Sequence, residues 1–182
     1  MMTAHRKQIG TGFTLIELAV VVVIVAVLAT ALLKRVIFYQ EQAEKVAMEQ
    51  TLGIVRSALH LQIANLLVKG DTDGIARLAD QNPMTWLSEK PSNYLGEYYT
   101  PKTGMIAPGN WYYDLHSKNL IYLVNNSEHL HTAAGEGKQI RYRAKLVKDV
   151  AGIPDANPGG PAVAQEKLAG VILEPVVAYR WF

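Results

Sequence analysis

From Phe13 to Leu33 the chain runs for 21 residues with a single ionisable side chain, Glu17. At about 1.5 Å per residue, a helix of that length covers about 31 Å, the hydrocarbon thickness of a bilayer. A run this long and apolar must be taken up by lipid, removed during export, or covered by other chains. Glu17 sharpens the choice, because a carboxylate at membrane depth costs several kcal/mol unless it finds a partner.

Three readings of the N-terminus follow from the residues. In the first, Arg6 and Lys7 are the basic region of a signal peptide and Leu18 to Leu28 its apolar core. Ala29-Thr30-Ala31 is then the cleavage site, and the mature chain starts at Leu32. In the second, the run is a plain transmembrane anchor. In the third, cleavage falls between Gly12 and Phe13 and the helix is kept. Only the third gives Glu17 a partner, since it frees an α-amine on Phe13 one helical turn away. Flanking charge does not orient the span: Arg6 and Lys7 precede it, and Lys34 and Arg35 follow it.

The stretch "GFTLIEL", residues 12–18, with a short basic leader before it and an apolar helix after it, resembles the processing site of type IV prepilins and type II secretion pseudopilins. The resemblance implies that a prepilin peptidase cuts after Gly12 and that Phe13 becomes an N-methylated N-terminus. It implies that Glu17 registers each subunit against its neighbour. It also resolves the orientation: the leader, residues 1–12, stays cytoplasmic and the rest faces the periplasm. The strong match covers about residues 6 to 45. Two departures stand out. Many major pilins carry Gly and Pro within this helix, where Ala26 and Lys34 stand here, so the helix should run on without a break. Many also close the C-terminal region with a disulfide, which a chain without cysteine cannot form. Both departures fit a pseudopilin or minor pilin better than a major adhesive pilin.

Past Leu33 there remain 149 residues (182 minus 33), enough for a core of their own. Net charge is +2, which gives no strong field toward nucleic acid, and the lack of cysteine excludes thiol nucleophiles and thiolate metal sites. Leu52, Val55, Leu59, Ile63 and Leu66 recur at steps of three and four and form one stripe, with Gln42, Glu49, Arg56 and Lys69 mainly off it. Gly70 is a C-cap signal. A single helix of some 55 residues is expected, its first half in lipid and its second half packed on a sheet.

Asp71 to Trp86 reads as one or two short helical turns, with Asn82 as N-cap and Pro83 at the first helical position. Lys90 to Asn110 is rich in Pro and Gly and reads as an ordered loop over the helix, packed through Tyr94, Tyr98 and Tyr99. Trp111–Asp114 and Leu120–Val124 form a hairpin. "QIRYRAKLV" alternates, placing Ile140, Tyr142, Ala144 and Leu146 on one face and Arg141, Arg143 and Lys145 on the other. Lys148 to Gly170 reads as loop. "GVILEPVVAYRWF" is a strand interrupted at Pro175, and so belongs at an edge or bulge.

The fold class expected is therefore α+β and pilin-like: one long N-terminal helix packed on a small antiparallel sheet. A transmembrane helix spans residues 13–35 and a periplasmic domain spans 36–182, with helix 36–69, loops 70–110 and the sheet in 111–182.

Chemistry is sparse. His129-x-His131 is half a zinc site, but no carboxylate is spaced to complete it, and solvated loop histidines are the simpler reading. His60 falls between stripe positions and reads as surface. Asp149, Asp155 and Asn157 lie in a Gly/Pro-rich stretch where some pseudopilins hold calcium; turn chemistry accounts for the same residues. Arg141, Arg143 and Lys145 read as a solvated strand face. There is no G-x-S-x-G, no H-E-x-x-H and no phosphate-binding glycine motif. The function expected is that of a non-enzymatic filament subunit without cofactor. Its partners are prepilin peptidase, other pilin or pseudopilin subunits, an inner-membrane assembly platform, and membrane lipid before assembly. The rival is a signal-anchored or secreted periplasmic binding domain that forms no filament.

Overall fold

A computed structural model describes residues 13–102, 104–132, 137–151 and 165–182. The chain divides into two units, one ending at Gln40 and one running from Glu41 to Phe182. Helix α1, Leu15–Val68, supplies residues to both and is continuous for 54 residues. That matches the absence of Gly and Pro from its first half, where Ala26 and Lys34 are ordinary helix residues. It ends as Gly70 predicts. Gly70 has φ 70°, Asp71 N–H donates to the Leu66 carbonyl at 3.0 Å and Gly70 N–H to the Leu67 carbonyl at 3.0 Å. This pair of bonds, six-to-one and five-to-two, is the Schellman arrangement that a left-handed residue permits.

In the first unit, every residue from Phe13 to Gln40 is exposed, and α1 contains a stretch long and apolar enough to cross a membrane. In the second unit, α1 is amphipathic. Met48, Leu52, Val55 and Leu59 are buried, Ile63 and Leu66 are half-buried, and His60 is exposed.

That buried stripe packs on a sheet. Strands β1 (Tyr94–Tyr98), β2 (Trp111–Asp114), β3 (Asn119–Leu123), β4 (Leu130–Thr132), β5 (Gln139–Ala151), β6 (Gln165–Pro175) and β7 (Tyr179–Trp181) follow one another in the chain. Five make one sheet in the order β1-β2-β3-β5-β6, and β4 pairs with β7 in a second, two-stranded sheet. Trp111, Tyr113, Leu120, Tyr122, Ile140, Tyr142, Ala144, Val171 and Leu173 face the α1 stripe in one core, joined by Trp181. Alternation along β5 runs as its sequence dictates, with Ile140, Tyr142 and Ala144 buried and Arg143 and Lys145 exposed.

Before the sheet, α2 (Thr72–Leu78) is capped by Asp71, whose Oδ1 accepts from Gly74 N–H at 2.7 Å. A single 3-10 turn, Pro83–Trp86, is capped by Asn82 with Pro83 at its start, and its Met84 and Trp86 enter the core.

Five expectations need correction. The sheet is mixed, because β1 runs parallel to β2. Tyr94–Tyr98 is therefore a strand inside the stretch read as loop; Gly96, at φ 108°, and the register shift between Tyr94 and Glu97 break the pattern that would have revealed it. Tyr94 packs against the α1-side core, whereas Tyr98 joins Ile106, Tyr112 and Ile121 on the other face of the sheet, so Tyr98 and Ile106 cover that face rather than the helix. Tyr99 is exposed. The stretch 148–170 is not all loop, since β5 continues to Ala151 and β6 starts at Gln165, with a register shift after Val147 opposite Gly170. The C-terminal strand is split after Pro175, and its last part, β7, leaves the main sheet for β4. The rest of that prediction holds, because β6 is an edge strand and Pro175 its last residue.

Candidate functional site

Two carboxylates on α1 carry what chemistry the described residues have, and their surroundings differ. The first is Glu17. Thr14 is the residue before the helix begins. Its Oγ1 accepts from Glu17 N–H at 3.3 Å, and its carbonyl accepts from Leu18 N–H at 3.1 Å. Thr14 is thus an N-cap, with Glu17 three residues on in the T-x-x-E spacing of a capping box. An acid at this position also faces the positive end of the helix dipole. Phe13 stands one turn ahead, and Phe13, Leu15 and Ile16 are exposed at 71%, 87% and 73%. Gly12, the residue on the other side of the predicted cleavage, lies outside the described residues, as do Arg6 and Lys7.

The second is Glu41, which is fully buried. Its position is dictated by phase: 41, 48, 52, 55 and 59 share the inward face of α1. Its Oε1 accepts from His129 N–H at 2.9 Å and from the Trp181 indole N–H at 3.0 Å. Its Oε2 lies 2.8 Å from His129 Nδ1. Burial alone pushes its pKa up; the His129 ring, the His129 N–H and the Trp181 indole outweigh it and hold the carboxyl below its ordinary value. One turn on, Glu44 Oε1 accepts from Tyr122 O–H at 3.0 Å and Asn125 N–H at 2.6 Å, and Oε2 from Asn126 N–H at 3.0 Å. Lys45 Nζ donates to the Trp181 carbonyl at 2.8 Å. Glu41, Glu44 and Lys45 together hold residues 125–129 and the C-terminal strand β7. Among these groups His129 stacks on Phe182, with ring centroids 4.9 Å apart.

The chain matches no family model, no curated protein and no solved structure.

Phe13 and Glu17 both lie at the start of α1, four positions apart as the sequence has them, and both are exposed. His131 is exposed, in β4 rather than in a loop, whereas His129 lies in the turn before it, partly exposed and bonded to Glu41. Of the calcium candidates, Asp149 lies in β5, and Asp155 and Asn157 lie outside the described residues. Of the basic stripe, Arg143 donates to the Asn119 side chain and the Ser117 carbonyl, and Lys145 pairs with Glu174 at 2.8 Å.

Two features escaped sequence reasoning although a signal existed for each. Thr14-x-x-Glu17 is a capping box on spacing alone. Glu41 lies in phase with the apolar stripe, seven residues before Met48, and a carboxylate on a buried face demands partners. Which partners it finds, 88 and 140 residues further on, is a tertiary matter.

Proposed function

We propose that the chain is a structural subunit of a helical filament of the type IV pilus or type II secretion pseudopilus kind, with no catalytic role. It enters the inner membrane through α1, with residues 1–12 cytoplasmic and the C-terminal unit periplasmic. Prepilin peptidase removes the leader at Gly12-Phe13, and Phe13 is methylated. An assembly platform then draws the subunit out of the lipid into a filament whose α1 segments bundle together. Growth of such a filament requires a heterologous, non-closing contact between copies or related subunits.

One observation carries this reading. Glu17 lies in the first turn of a helix that is exposed at every residue up to Gln40, four positions after Gly-Phe and a basic leader. Bare apolar surface and a lone acid are both unfavourable in an isolated chain, and both are relieved when helices of several copies meet. In such a bundle Glu17 pairs with the Phe13 amine of a neighbour. The pilin-like label for the α+β fold rests on the same argument.

The experiment is N-terminal sequencing of the mature protein after co-expression with a prepilin peptidase. A start at Phe13 is expected, and Gly12→Trp blocks it, because the glycine permits close approach of the protease to the backbone. A start at Leu32 or at Met1 overturns the reading in favour of a secreted or signal-anchored domain.

A further inference from the structure

We propose that Glu41, Glu128 and His129 form a binding site for a first-row divalent cation, zinc before the others. The proposal is independent of the filament reading. The fold gives His129 a different set of companions from the His129-x-His131 pair: carboxylate oxygens of Glu41 and Glu128 and a ring nitrogen of His129 lie within 4.8 Å of one another.

The two oxygens of Glu41 have separate tasks. Oε1 is occupied by two N–H donors, from His129 and Trp181, which fix the plane of the carboxylate. Oε2 faces the His129 ring nitrogen, 2.8 Å away, and has no other hydrogen-bond partner among the described residues. Two lone pairs do not face each other at that distance, so a positive centre sits between them: the Nδ1 proton or a metal ion. Zinc bonds of about 2.0–2.2 Å to each atom, at a tetrahedral angle, require Oε2 and Nδ1 to part by roughly 0.6 Å, which a side-chain adjustment of the partly exposed His129 supplies. The Nδ1 proton leaves to solvent as the metal binds.

Glu128 is exposed and has no hydrogen-bond or ion-pair partner among the described residues, so it is available as the third ligand. Water completes a tetrahedron. The N–H donors on Oε1 then act as the outer partners that hold a metal-binding carboxylate in place. The donor set selects the metal class: one imidazole and two carboxylates suit zinc, cobalt or manganese, whereas calcium requires six or more oxygens. Lys45, one turn on from Glu41, is engaged with the Trp181 carbonyl.

The test is zinc titration of the full chain in detergent micelles after chelator treatment, with cobalt as a spectroscopic substitute. One zinc per chain is expected, with a visible cobalt absorption band of a tetrahedral centre. Glu128→Gln is the decisive variant, because Glu128 holds nothing together and its loss leaves the fold intact. It should weaken zinc binding at least tenfold, the scale at which even outer partners act, while the metal-free melting temperature stays unchanged. His129→Gln should abolish the cobalt band. No saturable binding, or zinc binding equal in Glu128→Gln and wild type, overturns the proposal, and a proton alone then joins Glu41 to His129.

Discussion

Glu17 and Glu41 sit on one continuous helix, 24 positions apart (41 minus 17), and have opposite surroundings. Glu41 is buried and saturated by donors from the same chain. Glu17 is exposed, with its own backbone N–H bonded to Thr14 and its side chain in a band of bare apolar residues. The difference teaches where each acid's partner comes from. A buried carboxylate whose bonds are complete within the chain stabilises that chain's fold. A carboxylate left bare at the start of an apolar helix awaits a cation from elsewhere, or is held there by the helix N-terminus alone.

The largest effect should come from testing that alternative at Glu17. Glu17→Ala is expected to reduce filament recovery in sheared fractions to background while processed subunit in the membrane stays at wild-type level. Glu17→Asp should give a partial defect, because the charge stays and the reach shortens. Glu17→Gln decides between the two roles. Glutamine fills the N3 position of a capping box as well as glutamate does, but brings no charge. Filament loss as severe as in the Ala variant identifies charge pairing; normal filaments identify the cap.

Glu41→Ala should act in the opposite manner, on stability rather than assembly. It leaves the Trp181 indole and the His129 N–H buried without an acceptor, at a cost of about 3 kcal/mol. For a chain of this size that corresponds to a fall in melting temperature of roughly 6–12 °C. Circular dichroism melts of the metal-free full chain measure it; a fall under about 2 °C would mean that water replaces the carboxylate without loss.

Asp114 offers a smaller and pH-dependent effect. It ends β2 and accepts from Thr100 N–H at 3.2 Å, His116 N–H at 3.0 Å and Ser117 O–H at 2.6 Å. Burial opposes its ionisation, but the Ser117 hydroxyl and the N–H groups prevail and lower its pKa. A lowered folded-state pKa means that the unfolded chain takes up the proton first as pH falls. The contribution is therefore complete above the ordinary carboxylate range and is lost as pH drops through the folded value. Asp114→Asn should cost about 1 kcal/mol at neutral pH and progressively less as pH falls through and below the ordinary carboxylate range. Melts of both proteins across that interval test it, and parallel curves would refute it.

The smallest effect belongs to Thr14→Ala. Loss of the cap should speed amide exchange at Glu17 several-fold, without change at Leu52 or Val55. If filament recovery also falls, capping and assembly are coupled at this end of the helix.

Much of the molecule was legible because local patterns report local forces. The 3.6-residue phase of Leu52, Val55 and Leu59 follows from one buried face, and the alternation of Ile140 to Lys145 follows from one wet face. Gly70 ended the helix because a left-handed residue is needed there, and Asn82-Pro83 opened a turn because its hydrogen bonds are made by neighbours. The uninterrupted apolar run and its single acid were likewise set by composition and order alone. The parallel pairing of β1 with β2, the departure of β7 to join β4, and the burial of Glu41 under His129 and Trp181 were settled only in three dimensions. They depend on groups from 16 to 140 residues apart, which no short window of sequence brings together. An acid in phase with a core stripe announces that it needs donors, but only the closed fold supplies them, because the free energy of a buried hydrogen bond exists only once the rest of the core has excluded water.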